Sequence, residues 1–150
     1  MTLIIKSGTL ITACETFSAD ILIEGEKITQ IGADLDHPDA EILDASGMLV
    51  MPGGVDPHTH FDLPMFDTVS SDDHYSGHKA AAFGGTTTVI DFVPQDSPTL
   101  SESVEVWHAK ADPKAAIDFG FHMNITYLDP LVEMEIPKLL ELGVDRKSVV

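Results

Sequence analysis

Two histidines, His58 and His60, stand two residues apart in the run Pro52-Gly53-Gly54-Val55-Asp56-Pro57-His58-Thr59-His60-Phe61-Asp62. Val55–His60 reads as a strand, where successive side chains point to opposite faces. Both imidazoles therefore share a face that Thr59 does not. Two neutral imidazoles one strand repeat apart can close on a single metal ion. Asp56 has the same parity and is placed to orient a ligand from behind it. Taken alone, the pair is more often two half-buried polar strand residues than a metal site. Its surroundings decide.

The other histidines carry less. His74 and His78 have the i, i+4 spacing that builds metal sites on helices, but the spacing reads here as a solvated helix face. His108 falls mid-helix and reads as a surface residue. His122 lies in an apolar strand and reads as a core histidine, and His37, beside Pro38, belongs to a loop. Asp91 ends the next strand and is placed to face the site as a partner of a ligand.

The elements that must position these residues change character near Met51. Before it, short apolar runs alternate with turn signals. Leu3–Lys6 and Leu10–Thr12 flank Ser7-Gly8, Asp20–Glu24 and Lys27–Ile31 flank Gly25-Glu26, and Glu41–Leu43 and Met48–Met51 follow. This predicts an all-β block over residues 1–51, part of a small β-sandwich. From residue 52 to 150 strands alternate with helices. A polar loop, Asp62–Ser70, leads from the first strand to a helix over Asp72–Phe83, capped by Ser70 or Ser71 and ended by Gly84-Gly85. Thr86–Val93 is β-branched and nearly continuous in apolarity, as a parallel strand covered on both faces should be. Thr99-Leu100-Ser101-Glu102 is a capping-box pattern opening a helix to Lys110. Ala115–Thr126 is the third strand and Leu131–Leu142 a third helix, with Pro137 a kink or restart. Alternation of this kind makes an α/β fold of parallel βαβ units.

Composition narrows the function classes. The 150 residues are 43% apolar and 22% charged, a globular balance. No stretch approaches the roughly 18 apolar residues of a membrane span, and Met1–Lys6 has no signal-peptide pattern. The net charge is −17, with eight lysines and arginines scattered along the chain, which excludes a clustered phosphate-binding surface and with it a nucleic-acid partner. A single cysteine, Cys14, rules out an intramolecular disulfide and fits a cytoplasmic protein.

Residues 52–64, Pro-Gly-Gly-Val-Asp-Pro-His-Thr-His-Phe-Asp-Leu-Pro, resemble the metal motif of the cyclic amidohydrolases, and most of all the hydantoinase/dihydropyrimidinase branch. The resemblance continues through Gly77–Phe92, Trp107–Ala111 and Asp118–His122, and so covers the chain to about Gly143. It implies a (β/α)8 barrel beside a small β-sandwich, of which this chain would supply part of the sandwich and the first three βα units. It also implies that His58 and His60 hold one ion of a two-metal centre. In that centre a carboxylated lysine bridges two ions, zinc by preference with manganese or cobalt as substitutes, and later histidines and an aspartate complete the set. Such a centre hydrolyses a small cyclic amide or ureide, opening hydantoins or dihydropyrimidines to N-carbamoyl amino acids. Phe61-Asp62-Leu63-Pro64 sets the motif apart from those of dihydroorotases and allantoinases. Leu63, Met65 and Phe66 are candidates for an apolar gate over the substrate, or else for ordinary loop packing. Family members are commonly homotetramers.

The likeness fails after Gly143-Val144. There the family continues toward its bridging lysine, whereas this chain reads Asp145-Arg146-Lys147-Ser148-Val149-Val150. Lys147 is out of register with the family lysines and is not assigned as a ligand. The chain is thus expected to be an N-terminal piece of such an enzyme, to hold no complete catalytic set and to lack hydantoinase activity by itself. The competing reading is a non-catalytic scaffold like the dihydropyrimidinase-related proteins. Those lose histidines from this motif, whereas His58 and His60 are both present here.

Overall fold

The computed structural model describes Met1–Val144 and the backbone of Lys147–Val149. Asp145, Arg146 and the side chain of Lys147, where the sequence departs from the family pattern, lie outside the described residues. The chain divides into two compact units, Met1–Pro52 and Gly53–Val150.

The first unit is one five-stranded sheet of β1 (Thr2–Ile11), β2 (Thr16–Glu24), β3 (Lys27–Gly32), β4 (Glu41–Asp44) and β5 (Leu49–Val50). β1 pairs antiparallel with β2, and parallel with β4 and β5. Ser7-Gly8 is not the hairpin turn expected from its composition. β1 runs straight through it as a bulge, with Ser7 at φ 62° donating its N–H to the Asp20 carboxylate at 2.8 Å. Ile4, Leu22 and Leu35 form the small core of this unit.

The second unit is built on a four-stranded parallel sheet in the order β11–β10–β9–β6, from β6 (Gly54–Thr59), β9 (Thr86–Pro94), β10 (Asp118–Ile125) and β11 (Lys147–Val149). β11 is one strand more than the three units expected, and it covers the edge of β10 at Met123–Ile125. Between β6 and α1 the expected loop folds into a small antiparallel hairpin, β7 (Pro64–Met65) and β8 (Thr68–Val69).

The helices begin where side chains can satisfy their first amides. α1 (His74–Phe83) is capped by Asp73 in a reciprocal box with Ser76, not by Ser70 or Ser71, and Gly85 follows it at φ 84°. Thr99 caps α2 (Leu100–Ala111) by accepting from the Glu102 N–H. Asp129 caps α3 (Pro130–Glu141), with Pro130 in the first turn where a missing N–H does no harm. Pro137 neither breaks nor restarts α3, which is continuous across it. One face of β9 and β10 packs under the helices. Val93, Phe121, Met123 and Ile125 meet Leu100, Val104, Trp107, Val132 and Leu139 there. The alternate residues Ile90, Phe92, His122 and Asn124 are only half-buried on the other face. Among the described residues no helix is long and apolar enough to cross a membrane.

Candidate metal centre

His58 and His60 flank the C-terminal end of β6, and both are exposed, while Thr59 between them is buried. The alternation expected of the strand is present. Their ring centroids lie 5.1 Å apart, edge to face, and both rings rest on Phe92 of β9, at 4.5 and 5.5 Å. Two imidazoles sharing one tetrahedral ion, each nitrogen about 2 Å from it, place their centroids roughly 5 Å apart. The pair therefore fits a divalent metal. Partial desolvation of the ring, and then the neighbouring His58, lower the pKa of His60, which favours its neutral form. His122 approaches the other edge of Phe92 at 5.2 Å. Among the described residues no group of three or more histidine, cysteine or carboxylate side chains converges on one point.

Asp56 does not hold an imidazole. Its carboxylate accepts the His58 backbone N–H at 3.1 Å, closing a local turn at the end of the strand. Asp91 is a second correction. It pairs with Thr59 in the ladder and so shares the buried face of Thr59, opposite the two imidazoles. There it accepts the Phe61 N–H at 3.2 Å and the Phe92 N–H at 2.9 Å. Burial pushes its carboxyl up to about 6 against the pull of those hydrogen bonds.

The largest disagreement with the sequence reading concerns His74 and His78. Both are fully buried, not solvated. His74, Gly77, His78 and Ala81 form the inward stripe of α1, and Phe61 fills the notch at Gly77. A Cβ there would lie 2.1 Å from the Phe61 ring. His78 Nδ1 accepts the Ala116 N–H at 3.2 Å and its Nε2 lies 3.4 Å from His74 Nδ1. His74 Nε2 stands 3.7 Å from the nearer Asp91 oxygen. Burial, followed by the adjacent His78, drives the pKa of His74 down to about 4, and burial likewise lowers His78. The stripe at i, i+3, i+4, i+7 was visible in the sequence, but it holds no large apolar residue and so did not read as an inner face.

Asp62, directly after the motif, sits at φ 47° and ties the loop down. Its carboxylate takes the Lys114 ammonium at 3.0 and 3.2 Å and the His74 N–H at 3.3 Å, and its carbonyl takes Lys110 at 3.2 Å. The Lys110 ammonium also lies 3.6 Å above the Trp107 ring. Neither lysine was singled out from the sequence. Of the expected gate residues, Leu63 packs partly into the helix-side core, whereas Met65 is half-exposed and Phe66 fully exposed at the tip of the hairpin. His108 is half-exposed, pairing with Asp112 at 3.0 Å.

No protein-family model matches the sequence. Individual relatives do. The chain is 50% identical over 142 residues to a D-hydantoinase of Geobacillus stearothermophilus, a match that covers 94% of this chain and 30% of that protein. A crystal structure of a D-hydantoinase superposes with a TM-score of 0.94 at 49% identity, covering 98% of this chain and 32% of the other. The dihydropyrimidinase of Brevibacillus agri NCHU1002 gives the same TM-score at 44% identity, again over 32% of its length. The chain thus spans about a third of the proteins it matches, and over that span it belongs to the hydantoinase/dihydropyrimidinase family.

Proposed function

We propose that this chain is part of a metal-dependent hydrolase that opens the ring of hydantoins or dihydropyrimidines to N-carbamoyl amino acids. The observation that carries the reading is the His58/His60 pair. Its rings are spaced for one ion, exposed at a strand end, and embedded in a sequence half identical to a D-hydantoinase. A divalent ion, zinc with manganese or cobalt as substitutes, would supply Lewis-acid polarisation of the amide and a water of lowered pKa. The protein's own share is to present two imidazoles on the Phe92 platform and to fix the loop that follows them through Asp62 and Asp91. Met65 and Phe66, held out on the hairpin beyond the motif, are the gate residues of this reading, and Leu63 anchors them to the core.

The four parallel strands with three connecting helices are on this reading the start of a (β/α)8 barrel, and the sheet of residues 1–51 is part of the accompanying sandwich. A cytoplasmic homotetramer is the corresponding assembly, supported by the family resemblance and the single cysteine. The test is a Zn²⁺ titration of the chain followed through the histidine ring ¹H–¹⁵N resonances. His58 and His60 should shift together, and His58→Ala or His60→Ala should remove the response. A response centred on other histidines, or none, refutes the assignment. With two ligands at hand, the 150-residue chain by itself is expected to open neither hydantoin nor dihydrouracil.

A further inference from the structure

Asp91 is a buried carboxylate on the wrong face of the sheet to touch a metal at His58 and His60, yet it grips the main chain directly after His60 and at Phe92, while Asp56 holds the His58 amide. The Phe61 N–H that it accepts belongs to the His60–Phe61 peptide, so this bond sets the plane in which the His60 backbone ends. The Phe92 N–H that it also accepts belongs to the residue whose ring carries both imidazoles. The strand ladder cannot do this work. The β6–β9 register shifts between Asp56 and Thr59, and the last paired residues are Thr59 and Asp91 themselves.

Behind Asp91 the hydrogen-bond donors run in one direction. Because His78 Nδ1 accepts from Ala116, the proton of that neutral ring sits on Nε2, which faces His74 Nδ1 at 3.4 Å. The proton of His74 is then on Nε2, a fully buried atom with no hydrogen-bond partner of its own, 3.7 Å from Asp91 Oδ2. The line begins in the segment before β10, passes through α1 and ends at the carboxylate of β9. It leaves Asp91 facing a donor that no other acceptor claims.

We propose that Asp91 is a positioning residue of the His58/His60 pair, acting at its His60 end and through Phe92, and backed by the buried His74–His78 couple. The proposal rests on the metal reading of that pair. Partners that orient metal ligands without touching the ion typically change affinity by about 10- to 100-fold when removed. A carboxylate serving the fold alone would instead change stability and leave the affinity of the folded protein untouched.

The experiment uses the 150-residue chain and its Asp91→Asn variant, titrated with Zn²⁺ while the ring resonances of His58 and His60 are followed. Melting is recorded by Trp107 fluorescence. The folded variant should bind Zn²⁺ at least about 10-fold more weakly. In the wild type, ring ¹⁵N shifts should show Nε2–H on both His74 and His78. Equal Zn²⁺ affinity in variant and wild type overturns the proposal, as does an Nδ1–H tautomer at His74. If the wild type itself gives no response at His58 and His60, the metal reading fails first and the proposal falls with it. That outcome is visible without any variant. Should Asp91→Asn not fold, His74→Phe keeps the ring volume and removes the facing donor. A Zn²⁺ affinity weakened about threefold or more supports the proposal, and an unchanged affinity overturns it.

Discussion

Asp91 and His74 make opposite contributions to the pH dependence of stability, and Asp91→Asn should expose one of them. Burial lowers His74 from 6.5 to about 4. The unfolded chain therefore takes up a proton that the folded one refuses, and stability is lost as pH falls from 6.5 towards 4. At about 1.4 kcal/mol per unit, the loss reaches at most about 3 kcal/mol. Asp91 is raised from 3.8 to about 6, so the folded state carries a buried-charge penalty at neutral pH. That penalty is relieved as pH falls from about 6 towards 3.8, by a similar amount of about 3 kcal/mol. In the wild type the two nearly cancel, since folded and unfolded chains each take up about one proton in the same range. In Asp91→Asn the relief is gone and the His74 loss stands alone.

Urea unfolding followed by Trp107 fluorescence between pH 7 and pH 4 measures the difference directly. The variant should lose about 3 kcal/mol more than the wild type, a midpoint shift of roughly 1 to 3 M urea. The carboxylates of Asp20, Asp73 and Glu135, all lowered by hydrogen bonds, destabilise both proteins alike in acid and drop out of the comparison. Depression of His78 adds an equal loss to both. Parallel pH profiles for the two proteins would refute the reasoning. They would mean that the proton taken up in the folded state is not held at Asp91.

Gly77→Ala sets a helix-propensity gain of about 1 kcal/mol against overpacking of typically 1–3 kcal/mol, because the new Cβ would fall 2.1 Å from Phe61 Cε1. A net loss of stability in a urea melt is expected, together with a shifted His60 ring resonance. Leu139→Ala, which empties a site 2% exposed, should cost about 2–5 kcal/mol. The adjacent Leu140→Ala, 63% exposed, should stay within about 0.5 kcal/mol of the wild type in the same melt. Lys114→Met removes the ammonium shared by Asp62 and Asp73 and should speed hydrogen exchange at the Asp62 and His74 amides, with little change at Met123.

The parts of the fold legible in the sequence were those governed by local rules. Thr86–Val93 reads as a covered strand because β-branched residues run unbroken, and Thr99 reads as a cap because Glu102 follows at the right spacing. The shared face of His58 and His60 follows from strand parity alone. What stayed hidden depends on residues distant in the chain. Lys110 and Lys114 look like two of a few scattered cations until the fold brings α2 and the turn after it against Asp62, 48 and 52 residues earlier. Ser7-Gly8 looks like a turn until Asp20 arrives to hold Ser7 in the left-handed region.

Asp91 shows most clearly where local rules stop. Its own strand parity places it opposite Phe92, but only the pairing of Thr59 with Asp91 says which of those two faces carries the imidazoles. A register shifted by one residue would put the carboxylate beside the histidines as a ligand and bury Phe92 under the helices. The observed register does the reverse. It gives the exposed face an aromatic platform under two imidazoles, and it buries the charge with His74 and His78, where it can act on the site only through the main chain. The same register explains why α1 carries histidines inward. A carboxylate sunk behind β9 is costly without donors, and a helix stripe of His74, Gly77 and His78 brings a ring nitrogen to it while leaving room for Phe61.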